Sequence, residues 1–296
     1  MSAHSTDDQS ADQLDRLHNR LAEDFLGTID VLASMVGAFE RYHEGSHSHF
    51  VGYKSGETAR QLGLSPTEVF AVQTAGRLHD IGKIGLPERI LTRFPADLSD
   101  ADFADYAQHA ELGAVMLRHH SSLAAVADIV HAHHERLDGS GFPRHLRDTA
   151  IPPGAMIISV VDTFHNMMYR KGIARNEASG VPNAIRSAGS FLEASSRRYT
   201  QVMNYLEKKA GVLYHRKVVD AFTLIMETER RQLGDKLVKR VAPNYLRPGM
   251  SLAEDYYTSF GLLVAARGEE LTERSIRALL RFAEDGELPA KVLVVD

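Results

Sequence analysis

The chain has 296 residues, 44% of them hydrophobic, which is enough for one large domain and a smaller attachment, each with a packed interior. It contains no cysteine, which excludes disulfides, thiolate zinc sites and cysteine nucleophiles and makes a reducing cytoplasm the simplest location. The formal net charge of −5 provides no broad basic face for duplex nucleic acid, although it permits a local positive pocket for a small phosphorylated ligand. The N-terminus does not resemble a signal peptide, and the longest apolar run, from Ala155 to Val161, is too short for a membrane span.

The N-terminal region predicts a long amphipathic helix after a disordered start at residues 1–10. Its second half is expected to pack on the following domain. The charged first half has little else to bury against, so a parallel helical pair in a homodimer is predicted. Residues at spacings of three, four or seven carry this pattern: Leu14, Leu17, Leu21, Thr28, Leu32, Met35 and Phe39.

His79 and Asp80 lie at the centre of the predicted site. The helix before them begins at Ser65, which forms a capping box with Glu68, and is expected to end at Gly82. An adjacent His and Asp point to different sides of a helix, so they can bind two neighbouring metal ions, or one ion and a bridging water. Two polar residues at a helix end are, however, more often a capping arrangement, so the assignment depends on further ligands.

Further candidate ligands occur along the chain, which has 15 histidines, several of them clustered. Neutral imidazole is the commonest metal ligand in proteins. His133 and His134 close an apolar helix that starts near Leu123 and precedes a Gly/Pro loop at residues 137–143. Asp162 lies on an apolar, buried helix, where an uncompensated carboxylate costs several kcal/mol, so we expect it to be paired or metal-bound.

Three further histidines, at positions 43, 47 and 109, are not assigned as ligands by spacing alone. His43 and His47 stand four residues apart and share a face if the helix continues through Gly45. His109 follows a helix start predicted at Ser99 with Asp102. A lone histidine on a helix is usually structural or exposed.

The order of these histidines, aspartates, glycines and prolines resembles the HD-GYP family, metal-dependent phosphodiesterases that cleave cyclic di-GMP. The resemblance covers roughly residues 25 to 230, with Phe142 in place of the tyrosine of the Gly-Tyr-Pro triplet. It implies a mainly α fold, an HD-type helical bundle at residues 45–233, preceded by a signalling helix within residues 1–44. Residues 234–296 read as short strands and one helix, a small β-rich (α+β) appendage that regulates or docks.

The resemblance also implies a centre of two divalent metal ions, iron or manganese, with zinc, nickel or cobalt as alternatives. Such a pair activates a hydroxide for in-line phosphodiester cleavage. A third ion remains open, because family members with three metals have glutamate at the position of His43. The implied ligands are His47, His79, Asp80, His109, His133, His134 and Asp162.

Lys83, one turn beyond His79, is expected to place its ammonium near a phosphate oxygen or the leaving group, as in the family. We therefore name Lys83 and Asp80 as catalytic. The alternative for Lys83 is a solvated lysine at the helix end that complements the helix dipole. The candidates for binding the two phosphates of the substrate are Arg144, Arg147, Arg170 and Lys171, which as isolated charges would be surface residues.

The predicted function is hydrolysis of cyclic di-GMP to the linear dinucleotide pGpG or to GMP. Phe142 and His165, which stands where the family usually has aspartate, depart from the family around the expected substrate. Two alternatives therefore stay open: a regulatory protein that keeps metal and signals through partner contacts, and a phosphohydrolase acting on another nucleotide. An upstream sensor, receiver or other signalling protein is the expected source of input.

Overall fold

The computed structural model describes four stretches of the chain. These are residues 25–36 without 26, 30 and 34, residues 47–169 without 94, residues 188–234, and residues 238–295 without 254–255, 258–262, 266–269 and 287–290. His43, Arg170, Lys171 and most of the loop after residue 171 lie outside the described residues, as does the first half of the predicted N-terminal helix.

Helices dominate the described chain up to residue 234, which confirms the mainly α fold. The larger helices are α1 (His47–Gln61), α2 (Pro66–Leu78), α3 (Glu88–Leu91), α4 (Asp100–Arg118), α5 (Ala124–Ala132), α6 (Pro153–Tyr169), α7 (Ala188–Lys209), α8 (Arg216–Gly234) and α9 (Glu273–Glu284). Among the described residues, no helix combines the length and apolar character needed to cross a bilayer.

Local capping signals determine where two of the site helices begin. The Ser65 hydroxyl accepts a hydrogen bond from the Glu68 amide, and the Glu68 carboxylate accepts one from the Ser65 amide, as the predicted capping box requires. Ser99 caps α4 in the same way by accepting from the amide of Asp102. Both predicted helix starts are confirmed.

The end of α2 differs from the prediction. The helix stops at Leu78, and a short 3-10 turn, Ile81–Lys83, follows with Asp80 at its N-cap. Gly82 therefore lies inside this turn instead of ending the helix. A Cβ atom at Gly82 would lie 2.0 Å from the carbonyl oxygen of His109, so glycine is needed for close packing against α4.

The apolar helix α6 is central to the larger hydrophobic core. It contacts α1, α2, α5, α7 and α8, and its residues Ile157, Ile158, Val160, Val161 and Phe164 have no solvent exposure. This confirms the prediction of a buried helix through Asp162. Because α6 is surrounded, its few polar side chains must find partners within the bundle.

The N-terminal helical residues pack on this core, as predicted for the second half of the helix, but mostly through residues outside the predicted stripe. Ile29, Ala33 and Val36 are buried, whereas Val31 and Met35 are 61% and 54% exposed. Of the predicted stripe in this half, Leu32 packs against the core, whereas Thr28 and Met35 are exposed, so the stripe is wrong at these two positions. Apolar residues occur on two sides of the helix, and periodicity alone does not tell which side meets the core.

The C-terminal part of the chain forms a second hydrophobic core around Leu252, Leu271, Leu279, Val292 and Val294. Strands β1 (Val238–Val241), β2 (Ser251–Leu252) and β5 (Val292–Val295) form an antiparallel sheet in the order β1-β5-β2, and β3 (Tyr256–Tyr257) pairs with β4 (Leu263–Ala265). The β-rich appendage is confirmed. The sequence did not indicate β1, because Lys239 and Arg240 at its centre continue a charged run. The domain limits proposed from the sequence stay a prediction.

Candidate metal centre

Five helices bring the predicted ligands to one place. His47 is on α1, His79 and Asp80 follow α2, His109 is on α4, His133 and His134 follow α5, and Asp162 is on α6. The ligand atoms form two overlapping groups within metal-binding distance, and Asp80 belongs to both. One group is Asp80, His109, His133 and His134, and the other is His47, His79 and Asp80.

Backbone carbonyls set the tautomer of three of these histidines. Nδ1 of His79 lies 2.9 Å from the carbonyl oxygen of Gly76, and Nδ1 of His133 lies 2.6 Å from that of Val130. His109 makes the equivalent contact to Tyr106. A carbonyl oxygen only accepts, so each Nδ1 carries the hydrogen and each Nε2 keeps a lone pair. All three histidines thus present a metal-binding nitrogen to the interior.

These lone pairs face the oxygens of Asp80, which also cannot donate. Nε2 of His79 is 3.4 Å from Oδ2 of Asp80, and Nε2 of His109 is 3.5 Å from Oδ1. Oδ1 of Asp80 and Nε2 of His133 are buried and have no hydrogen-bond partner among the described residues. Buried acceptors that converge without a donor are costly unless a cation lies between them. The residues present therefore fit a bound metal.

Asp162 lies beside the second group. Its Oδ1 is 3.1 Å from Nε2 of His47 and 3.6 Å from Nε2 of His79, and it accepts a hydrogen bond of 2.6 Å from Nδ2 of Asn166. Asn166, one turn further along α6, was not predicted as part of the site. It donates to the same oxygen that lies beside the histidines and so orients the carboxylate, as outer partners of metal ligands do.

Burial keeps the imidazoles in their metal-binding form. Burial is the main cause that lowers the pKa of His133 and His134 well below the usual value. Burial, together with the charge of Lys83, lowers the pKa of His109 to about 4. Burial alone would raise the pKa of the Asp80 carboxyl. The neighbouring His79 and Lys83 outweigh it and hold this pKa well below its usual value.

Lys83 is placed against a predicted ligand. Its ammonium, on a side chain only 8% exposed, contacts Oδ2 of Asp80 and lies 5.5 Å from the centre of the Tyr106 ring. The alternative of a solvated surface lysine is therefore wrong. A buried cation next to the cluster can reach an anion bound there.

The loop after His134 is held by a residue that the sequence analysis missed. The buried carboxylate of Glu135 accepts hydrogen bonds of 2.7 Å from the amide of Arg144 and 3.0 Å from the amide of Leu146. The side chains of Arg144 and Arg147 are exposed, as isolated charges would be. Glu135 thus determines where this loop carries its cations. The sequence signal that could have indicated this role is the position of Glu135 directly after two predicted ligands, where a carboxylate would be buried and would need hydrogen-bond donors.

Aromatic rings line the partly exposed side of the cluster. The Phe142 ring lies 4.6 Å from that of His134 and 5.6 Å from that of Phe103, which is 36% exposed. Phe142 therefore forms part of a ring surface that leads from a predicted ligand toward solvent. The phenylalanine preserves this surface without the hydroxyl of a tyrosine.

His165 does not lie where the sequence placed it. It is buried, and its Nδ1 is 2.9 Å from Nδ1 of His47, so it contacts a predicted ligand and not the expected substrate region. Burial is the main cause that lowers its pKa well below the usual value. The signal was its position three residues after Asp162, on the same face of α6.

Comparison with known proteins agrees with this arrangement. A sequence profile described as HD domain matches residues 20–186, more than half of the chain. The chain belongs to the HD domain family. This confirms the recognition made from the sequence motifs.

The HD domain chain is similar to several curated phosphodiesterases. It is 35% identical over 202 residues to a cyclic di-GMP phosphodiesterase of Thermotoga maritima, an alignment that covers 68% of this chain and 49% of that protein. It is 32% identical over 197 residues to the cyclic di-GMP phosphodiesterase response regulator RpfG of Xanthomonas campestris pv. campestris, covering 65% and 46%. It is 27% identical over 205 residues to 3'3'-cGAMP-specific phosphodiesterase 1 of Vibrio cholerae, covering 68% and 46%. The chain spans about half the length of these relatives.

Proposed function

We propose that this HD domain protein is a metal-dependent phosphodiesterase that hydrolyses cyclic di-GMP to pGpG or GMP. The observation that carries the proposal is the buried cluster of histidines and aspartates in two groups that share Asp80. Two neighbouring groups match the needs of two ions, and two-ion sites are typical of phosphodiester hydrolysis. The substrate comes from relatives named as cyclic di-GMP phosphodiesterases.

Imidazole and carboxylate ligands suit iron or manganese, so we propose that the centre binds one of these two metals. A third ion would require His43 as an additional ligand. When bound, such ions supply Lewis acidity and water with a lowered pKa. The proposed ligands are His47, His79, Asp80, His109, His133, His134 and Asp162.

The chain's own residues then have separate tasks. His79, His109 and His133 keep their Nε2 lone pairs directed inward through their contacts to carbonyl oxygens. We assign to Lys83 the binding of a non-bridging phosphate oxygen or of the leaving oxygen, which requires its ammonium to turn from Asp80 toward the substrate. Arg144 and Arg147, with Arg170 and Lys171, are the proposed ligands of the second phosphate.

The ring surface of Phe142 and Phe103 supports a substrate that carries nucleobases. Aromatic side chains bind bases by stacking, and this surface begins at the ring of His134. Since phenylalanine has no hydrogen-bonding atom, stacking there would accept any purine. The similarity to a 3'3'-cGAMP-specific enzyme supports a second candidate function, hydrolysis of another nucleotide of this class.

We also propose a cytoplasmic homodimer that pairs through the N-terminal helix and receives a signal from another protein or domain. The exposed Val31 and Met35 support this pairing, because their helix already buries Ile29, Ala33 and Val36 on its other side. The separate core of the C-terminal residues supports a docking or regulatory unit at residues 234–296, beside a catalytic unit at residues 45–233.

The test is anaerobic metal analysis of the purified protein, coupled to hydrolysis assays with cyclic di-GMP and 3'3'-cGAMP in the presence of iron or manganese. Two or more ions per chain with metal-dependent cleavage of cyclic di-GMP are expected. Cleavage of 3'3'-cGAMP alone would move the assignment to the second candidate. Bound metal without any cleavage would favour a regulatory role, and a protein that binds no metal would contradict the proposal.

A further inference from the structure

His165 is a buried histidine for which the proposed reaction has no role. It lies on α6, three residues after Asp162, and is 3% exposed. Its ring centre is 4.7 Å from that of His47 and 4.8 Å from that of Phe50. The two histidines approach each other through Nδ1, at 2.9 Å, which is hydrogen-bond distance.

The opposite nitrogen of His47 belongs to the candidate metal centre. Its Nε2 is 3.1 Å from Nε2 of His79 and 3.1 Å from Oδ1 of Asp162. For His47 to bind metal through Nε2, that nitrogen must keep its lone pair, so the hydrogen must be on Nδ1. An Nδ1–H group buried in this position needs an acceptor.

We infer that His165 is a positioning residue: it accepts the Nδ1 hydrogen of His47 and so holds the Nε2 lone pair of His47 toward the metal. This inference rests on the proposed metal centre. His79, His109 and His133 each donate Nδ1–H to a carbonyl three residues earlier. For His47 the acceptor comes from the side chain of another helix.

The tautomer that His47 needs for metal binding also determines the state of His165. With a hydrogen on Nδ1 of His47, a second N–H group cannot face it at 2.9 Å, so Nδ1 of His165 carries no hydrogen and its ring is neutral. A neutral acceptor polarises the imidazole of His47 less than a carboxylate would, and basicity of a ligand histidine follows its outer partner. His165 thus orients His47 while adding no negative charge to the centre.

The test compares three variants of the full chain at position 165. His165→Leu has a similar volume and removes the acceptor, His165→Asn restores an acceptor oxygen near the place of Nδ1, and His165→Asp offers a charged acceptor. Dissociation constants for Mn²⁺ are measured by competition with a chelator, and folding is checked by circular dichroism. Met168→Leu, at another buried position of α6, is the control.

We expect His165→Leu to weaken Mn²⁺ binding about 10- to 100-fold, the usual cost of losing an outer partner. His165→Asn should bind like the wild type and His165→Asp more tightly. If the wild type binds no Mn²⁺, the proposed centre fails. If the wild type binds Mn²⁺ and His165→Leu binds it equally well, the role of His165 is overturned while the centre stands. If His165→Leu does not fold, the test compares His165→Asp with His165→Asn. The inference is overturned if His165→Asp binds Mn²⁺ no more tightly than His165→Asn does.

Discussion

Lys83 and Asp80 form an ion pair from which water is almost excluded, since their side chains are 8% and 1% exposed. The contact uses Oδ2 of the carboxylate, and Oδ1 lies 3.5 Å from Nε2 of His109. One aspartate therefore joins the buried cation to the candidate metal ligands. A phosphate that entered the centre would compete with Asp80 for the same ammonium.

Replacing Lys83 by methionine separates catalysis from metal binding. We expect turnover of cyclic di-GMP to fall about a hundredfold to a thousandfold, the usual effect of removing one group that stabilises a transition-state charge. Metal content should be unchanged, because lysine is not a ligand. Lys217→Met, an exposed lysine on α8, is the control. Wild-type turnover in the Lys83 variant would contradict the assigned role.

Replacing Asp80 by alanine should remove metal and activity together, because this carboxylate belongs to both candidate groups. The metal content is measured after purification in the presence of the metal, and the turnover is measured with cyclic di-GMP as the substrate. Asp128→Ala removes an exposed carboxylate on α5 and should change neither. A variant of Asp80 with full metal content and normal turnover would show that the cluster is not the metal site.

Replacing Glu135 by alanine leaves the amides of Arg144 and Leu146 without their acceptor. An amide that loses its acceptor costs about 1–3 kcal/mol, so the loss at two amides should lower the free energy of unfolding by about 2–6 kcal/mol in a urea titration. The KM for cyclic di-GMP should rise because the loop carrying Arg144 shifts. Glu111→Ala, at an exposed position of α4, should have no such effect. Unchanged stability would mean that water replaces the carboxylate without loss.

Replacing Phe103 by alanine tests the ring surface. Base stacking on an aromatic ring contributes about 1–3 kcal/mol, so the KM for cyclic di-GMP should rise roughly 5- to 150-fold. The kcat should change little by comparison, because a stacking contact made equally in the ground state and the transition state affects the KM alone. Phe70→Ala is a matched control, since Phe70 is 38% exposed and packs on Phe25. A fall in kcat with an unchanged KM would argue against stacking.

Local signals were sufficient to predict much of the helical frame. The caps at Ser65 and Ser99 act within three residues, and the apolar run before Asp162 leaves a buried helix as the only reasonable environment. These features depend on neighbours in the chain, so the sequence contains all that they require.

Contacts between distant segments could not be read in the same way. His47 and His165 are separated by 118 residues, and no spacing rule places their rings together. The ligand set itself was recognisable because its order resembled a family, whereas the partners around it, such as Asn166 and Glu135, are determined by packing. The buried side of the N-terminal helix was missed for the same reason.

The absence of a side chain at Gly82 has a consequence for the whole centre. An added carbon would also lie 2.7 Å from the amide nitrogen of Gly113, so it would press on the main chain of α4 and not on a side chain that can rotate away. Only the separation of the two segments could relieve that pressure. The distance between the turn that carries Asp80 and the helix that carries His109 is thus short enough only for a glycine at position 82. A residue that binds nothing itself therefore fixes how closely two of the candidate ligands can approach each other.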